Sequence, residues 1–162
     1  MRVLEPAYTA GLARRGDDEL RAMKNECSEI ETSVSYARRL AQGRIEILEA
    51  EQRRRAEGGS LSELIDALPS ILAGDGGRPG VAHTRLAEPD EAIHDLVWPD
   101  ERDRLLADDS LANLPTLSDD ELTATIDALH GFEHDLSAYR RSLHGVIDSI
   151  EREIATRAAA GA

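Results

Sequence analysis

Two long stretches of helical periodicity flank a middle segment that has none. Between residues 17 and 57 apolar positions recur as Leu20, Met23, Cys27, Ile30, Val34, Ala37, Ala41 and Leu48, in steps of three and four up to the last interval. A helix that packs along its length against another helix shows such a heptad seam. Gly58 and Gly59 end it. A second seam, Leu122, Leu129, Phe132, Leu136, Tyr139, Leu143, Val146 and Ile150, lies between residues 118 and 160. It opens on SDDE, where Ser118 and Glu121 have the spacing of a capping box. Helices of roughly 40 residues would each extend about 60 Å.

The remaining segments read differently. Residues 1–16 lack periodicity and are expected to form a loose N-terminal tail. Residues 58–117 are expected to connect the helices. There, SLSELIDALPSIL offers a second capping box (Ser60, Glu63) and a short amphipathic helix, interrupted near Pro69. GDGGRPG is a linker. Beyond it Pro89, Pro99 and Pro115 allow only short helical turns, whose Ile93, Leu96, Val97 and Trp98 could pack on the helices or meet a partner. The expected fold is all-α: a long antiparallel two-helix coiled-coil hairpin, with a short third helix in the connection. A hairpin within one chain and a homodimer formed by helix exchange both satisfy the pattern.

Composition narrows the class. Aromatics make up 3% of the 162 residues, too few for a large globular core, and the net charge is −13. That balance argues against binding DNA directly and suits a basic protein partner. Arginine outnumbers lysine eighteen to one, in keeping with a GC-rich source genome. A single cysteine, Cys27 on the first seam, rules out an internal disulfide framework and a cysteine-built zinc site. The start has no signal-peptide core and no run reaches membrane-span length, so a cytoplasmic protein is expected.

The polar positions carry the candidate chemistry. ETSVSYARRLAQGRIE (residues 31–46) and EHDLSAYRRSLHGVID (residues 133–148) align without a gap. Glu31, Ser35, Arg38, Gln42 and Glu46 in the first match Glu133, Ser137, Arg140, His144 and Asp148 in the second. At about 100° per residue each set occupies a helical stripe roughly 80° wide, flanking the seam. If the helices are antiparallel and the two motifs are centred on each other, a pseudo-twofold axis puts both stripes on one side, as a single composite site. Each half offers an arginine that can fork onto a guanine edge or a phosphate, and carboxylates that can accept from guanine N–H groups. Such a site favours a two-fold-symmetric guanine nucleotide, or two copies of one. Solvated pairs within each helix, on a coiled-coil adaptor or dimerisation protein that binds no nucleotide, are the competing reading.

At these residues the chain resembles the RsiG family of actinobacterial anti-sigma factors. That family carries Glu-x3-Ser-x2-Arg-x3-Gln-x3-Asp on each of two antiparallel coiled-coil helices. The first copy here departs only at Glu46 and the second only at His144. The resemblance implies a non-enzymatic anti-sigma factor whose ten motif residues hold cyclic di-GMP, two molecules per composite site, without metal. It implies a WhiG-type sigma factor as partner and a sporulation or differentiation programme as the target of repression. His144 brings a group that can be charged near neutrality, and Glu46 is one methylene longer than the family's aspartate.

Other motifs have simpler explanations. HGFEH (His130 to His134) fits the H-x-x-E-H zinc-protease signature, but Glu133 already belongs to the repeat. Ser137 and His144 stand about two turns apart, too far for a hydrolase pair. Arg53, Arg54 and Arg55 suit the C-terminal end of a helix dipole without nucleic acid.

Overall fold

The computed structural model describes residues 2–73, 105–106, 111 and 113–160. The GDGGRPG linker and Ile93, Leu96, Val97 and Trp98 lie outside them. In chain order there follow a 3-10 turn at Arg2–Leu4, α1 (Pro6–Thr9), a 3-10 turn at Leu12–Arg14, α2 (Asp17–Glu57), α3 (Leu61–Ala73), a 3-10 turn at Leu114–Thr116, and α4 (Asp119–Ala160). No strand occurs among the described residues. α2 and α4 pack along their length and run antiparallel, since Asp17 meets Arg157 at one end while Arg55 meets Asp119 at the other.

The seams form the core. Leu20, Met23, Cys27, Ile30, Val34, Ala37, Ala41 and Leu48 are buried from α2, and Leu122, Leu129, Phe132, Leu136, Leu143 and Ile150 from α4. Tyr139 and Val146 pack partly buried at the edge. Ile45 fills the interval that the first seam leaves between Ala41 and Leu48.

Helix ends follow the local chemistry. At α4, the Ser118 backbone N–H donates to Glu121 Oε2 at 2.8 Å and the Glu121 N–H to Ser118 Oγ at 3.3 Å. Ser60 and Glu63 repeat the capping box at α3, at 2.7 and 3.3 Å. α2 stops in a Schellman motif: Gly58 takes φ 70°, and the Gly59 N–H donates to Arg54 O at 3.0 Å. α3 continues through Pro69 instead of breaking there. The carbonyl deprived of its donor belongs to Ile65, which is exposed, so water can take the place of the missing bond.

The N-terminal residues are not a loose tail. Val3 and Tyr8 are buried, and the arm packs against the C-terminal part of α4 while touching α2. Tyr8 donates to Glu26 Oε2 at 2.8 Å, and Arg2 pairs with the same carboxylate. Burial pushes both the Tyr8 hydroxyl and the Cys27 thiol up from their ordinary values. The arm shows no periodicity because it consists of three turns of three or four residues, each too short to display one.

Two arginines pin the hairpin ends in the same way. Arg55 donates to Glu51 Oε1 (2.6 Å), Leu117 O (2.7 Å), Asp119 Oδ1 (2.9 Å) and Leu114 O (3.0 Å). Arg157 donates to Glu153 Oε1 (2.8 Å), Arg15 O (2.7 Å), Asp17 Oδ1 (2.7 Å) and Leu12 O (2.9 Å). Every group in the second set lies 102 residues from its counterpart in the first (Arg55 and Arg157, Leu12 and Leu114), the same spacing that relates Glu31 to Glu133. The repeated unit is therefore arm, turn and long helix together. GLARRGDDEL before α2 corresponds to NLPTLSDDEL before α4, and buried Val3 corresponds to buried Leu105.

Glu51, fully buried, also takes two bonds from Arg54, at 2.6 and 2.8 Å. The Arg54 hydrogen bonds lead in holding its carboxyl down at about 2, with Arg55 assisting against the opposing effect of burial. In the unfolded chain that carboxyl takes up its proton near pH 4.3, so this stabilisation is complete above about pH 5 and is lost as pH falls towards 2. Glu51→Gln is expected to cost about 3 kcal/mol at neutral pH, since it removes the buried carboxylate on which two partly buried guanidinium groups converge. Urea unfolding at several pH values should also show a flatter acid limb for the variant. Val3→Asp should cost at least about 2 kcal/mol by the same measurement, whereas a loose tail would give no change.

Candidate functional site

Both motif stripes come together on one side of the hairpin. Glu31 on α2 accepts three side-chain bonds at Oε1: from Ser35 Oγ one turn along (2.8 Å), from Arg140 Nε on α4 (2.6 Å), and at His144 Nε2 (3.3 Å). Glu133 on α4 accepts the mirror set at its Oε1: from Ser137 Oγ (3.0 Å), Arg38 Nη1 (3.2 Å) and Gln42 Nε2 (3.1 Å). Eight of the ten motif residues thus form two equivalent clasps, each built from both helices. Glu46 (half-buried) and Asp148 (exposed) stand beyond them and hold no hydrogen bond or ion pair among the described residues.

The register differs from the motif-centred one. Centring the motifs would set Arg38 and Arg39 against Arg141 and Arg140. Instead α4 is slid by about one helical turn, so that each motif arginine meets the glutamate of the other motif. Opposite charges replace like charges, and the pseudo-twofold relation survives because the slide treats both halves alike.

The clasps are partly open to water: side-chain exposure is 23% for both Arg38 and Glu133, 39% for Arg140 and 22% for Glu31. Burial alone would raise the Glu31 carboxyl. The bonds from Arg140, Ser35 and His144, with the Arg140 charge, outweigh it and hold the group below the usual carboxylate range. Arg38 Nε is buried and lacks an acceptor among the described residues.

The competing motifs find no support. Among the described residues no group of three His, Cys, Asp or Glu could hold a metal. His130 pairs with Glu49 at 3.1 Å, and Glu133 is taken up by the clasp. Ser137 donates to Glu133 and not to His144. No described helix is long and apolar enough to cross a membrane.

The clasp geometry can be compared with known proteins. A family model described as RsiG-like matches residues 6–72 and 108–162, which take in both long helices and all ten motif positions. The chain belongs to the RsiG-like family. Membership carries an anti-sigma role in general terms, a sigma factor as partner, and a regulatory rather than an enzymatic class. It also suggests a regulatory nucleotide ligand. No protein of curated function matches the chain.

Sequence reasoning missed the arginine ends of this RsiG-like hairpin. Arg54 and Arg55 serve the buried Glu51 and the turn before α4, not merely the helix dipole. The signal was available: the 102-residue spacing seen in the motif also relates Glu51 to Glu153 and Arg55 to Arg157.

Half-exposed ion pairs contribute little to stability. Glu31→Gln and Glu133→Gln should therefore each change unfolding free energy by less than about 1 kcal/mol in urea titration. A loss above about 2 kcal/mol would mark the clasps as structural rather than as a surface available to a ligand.

Proposed function

We propose that this RsiG-like chain is an anti-sigma factor that binds cyclic di-GMP on the paired motif and, with it, sequesters a WhiG-type sigma factor in the cytoplasm. Sequestration would silence that sigma factor's sporulation or differentiation programme. One observation carries the reading: the two motif copies meet on a single face, and each carboxylate gathers donors from both helices.

The chemistry suits guanine. Its N1–H and N2–H₂ can replace an arginine on a motif carboxylate, while its O6 and N7, or a phosphate oxygen, can replace the carboxylate on that arginine. A ligand that offers both donors and acceptors exchanges partners with the clasp and leaves no charge unpaired. A bare polyphosphate would strand the carboxylates. Two equivalent clasps fit two copies of the nucleotide. Glu46 and Asp148, without partners at the ends of the motifs, are positioned to accept from further donors of the ligand. If the nucleotide touches both proteins, a ligand that binds the complex better than the separate parts must raise their affinity for each other by the same factor.

Isothermal titration with cyclic di-GMP, alone and with a WhiG-type sigma factor, tests the proposal. Binding is expected at least in the ternary mixture. Arg38→Ala and Arg140→Ala should each weaken it by roughly 10- to 100-fold, the value of a forked guanine contact. Arg53→Ala, on the exposed face, should leave it unchanged. Absence of heat in both titrations would leave the nucleotide-independent adaptor as the better reading.

A further inference from the structure

The two clasps share a plan but differ in how tightly they are closed. In the Glu31 clasp, Arg140 approaches through Nε at 2.6 Å and His144 adds a contact at 3.3 Å. In the Glu133 clasp, Arg38 approaches only through Nη1, at 3.2 Å, and its buried Nε has no acceptor among the described residues. That Nε has already lost its water and gained nothing in return, an uncommon condition for a buried donor. Gln42, which donates to Glu133 through Nε2, retains a freely turning amide oxygen that can accept; His144 at the matching position, with Nε2 on Glu31, is left with ring Nδ1 fixed on the opposite side of the imidazole.

We propose that the composite site loads in order, the Arg38 half first and the Arg140 half second. This rests on cyclic di-GMP being the ligand, as argued above. An acceptor on the first nucleotide, guanine O6 or N7 or a phosphate oxygen, satisfies Arg38 Nε while displacing only a long ion pair. The second nucleotide must open the shorter Arg140–Glu31 pair and release His144. The order thus follows from the one polar position where the motifs differ in kind, Gln42 against His144, and from the arginine atom that each clasp leaves unused.

Native mass spectrometry of the full chain titrated with cyclic di-GMP resolves states with one and two nucleotides. For the natural sequence a one-nucleotide state should precede the two-nucleotide state. Arg140→Ala should suppress the second step and weaken the first by less than Arg38→Ala does. Arg38→Ala should weaken the first step at least tenfold. His144→Gln should strengthen the second step and narrow the gap between the two. Should Arg38→Ala melt early by circular dichroism, Arg38→Lys keeps the charge without the Nε donor, and the same loss in the first step is expected. Equal damage to the first step from Arg38 and Arg140 variants, greater damage from the Arg140 variant, or a two-nucleotide state with no one-nucleotide precursor would each overturn the order. If the natural chain takes up no nucleotide, the ligand assignment falls and the order with it, a result distinct from all the others.

Discussion

The arrangement of this hairpin depends on two arginines that tie each long helix to the turn before the other. A heptad seam alone does not fix register, because sliding one helix by whole turns returns apolar residues to apolar surroundings. Arg55 and Arg157 remove that freedom. Each guanidinium makes four hydrogen bonds, to two backbone carbonyls, a carboxylate of its own helix and the first acidic residue of the partner helix. Of the carbonyls they hold, Arg15 O and Leu117 O lie just past a 3-10 turn and take no backbone donor among the described residues, so a slide would strand them as well as the guanidinium. With the ends set, the middle follows: each motif arginine finds a glutamate, where the centred register would have put arginine against arginine.

The composite surface is a consequence of that symmetry. Antiparallel helices carrying the same polar pattern at the same angle to the seam must present it on one face, and the 102-residue spacing holds from the arms through the clasps to the last turns. α3 breaks the relation. It packs on the C-terminal part of α2, where Leu64 is buried while Leu61 and Ile65 stay exposed. The molecule is thus two-fold in the chemistry of its clasps and one-sided at one end.

How much of this was legible in the sequence depends on the length of the pattern. The long helices and their seams announced themselves through many periods, and the SDDE and SELI starts through capping chemistry. The motif repeat picked out the eight residues that form the clasps and, given antiparallel helices, their common face. The N-terminal arm did not show, because turns of three or four residues leave no periodicity to detect. Its buried Val3 becomes apparent only when RVL is laid over RLL (residues 104–106), and Tyr8, whose counterpart is Ser110, leaves no such signal. Register was misjudged for a different reason. Centring two similar strings is a textual choice, whereas the helices obey charge pairing. Nothing in the local pattern marks Glu51 as buried; its pairing with Arg54 and Arg55 shows only in the fold.

The position of the clasps between two fastened ends has a consequence for signalling. Their partners can be exchanged one for one, since each half-exposed carboxylate and guanidinium needs only a new group of opposite kind. Nothing in that trade requires the helices to part, tilt or shorten, and the ties at the extremities oppose all three. Occupancy would then be written on an unmoving rod as a change of texture, with charge and hydrogen-bonding edges replaced by flat heterocycles. A protein resting on that face would sense the message by touch, as new chemistry underfoot, rather than by any motion of the hairpin beneath it.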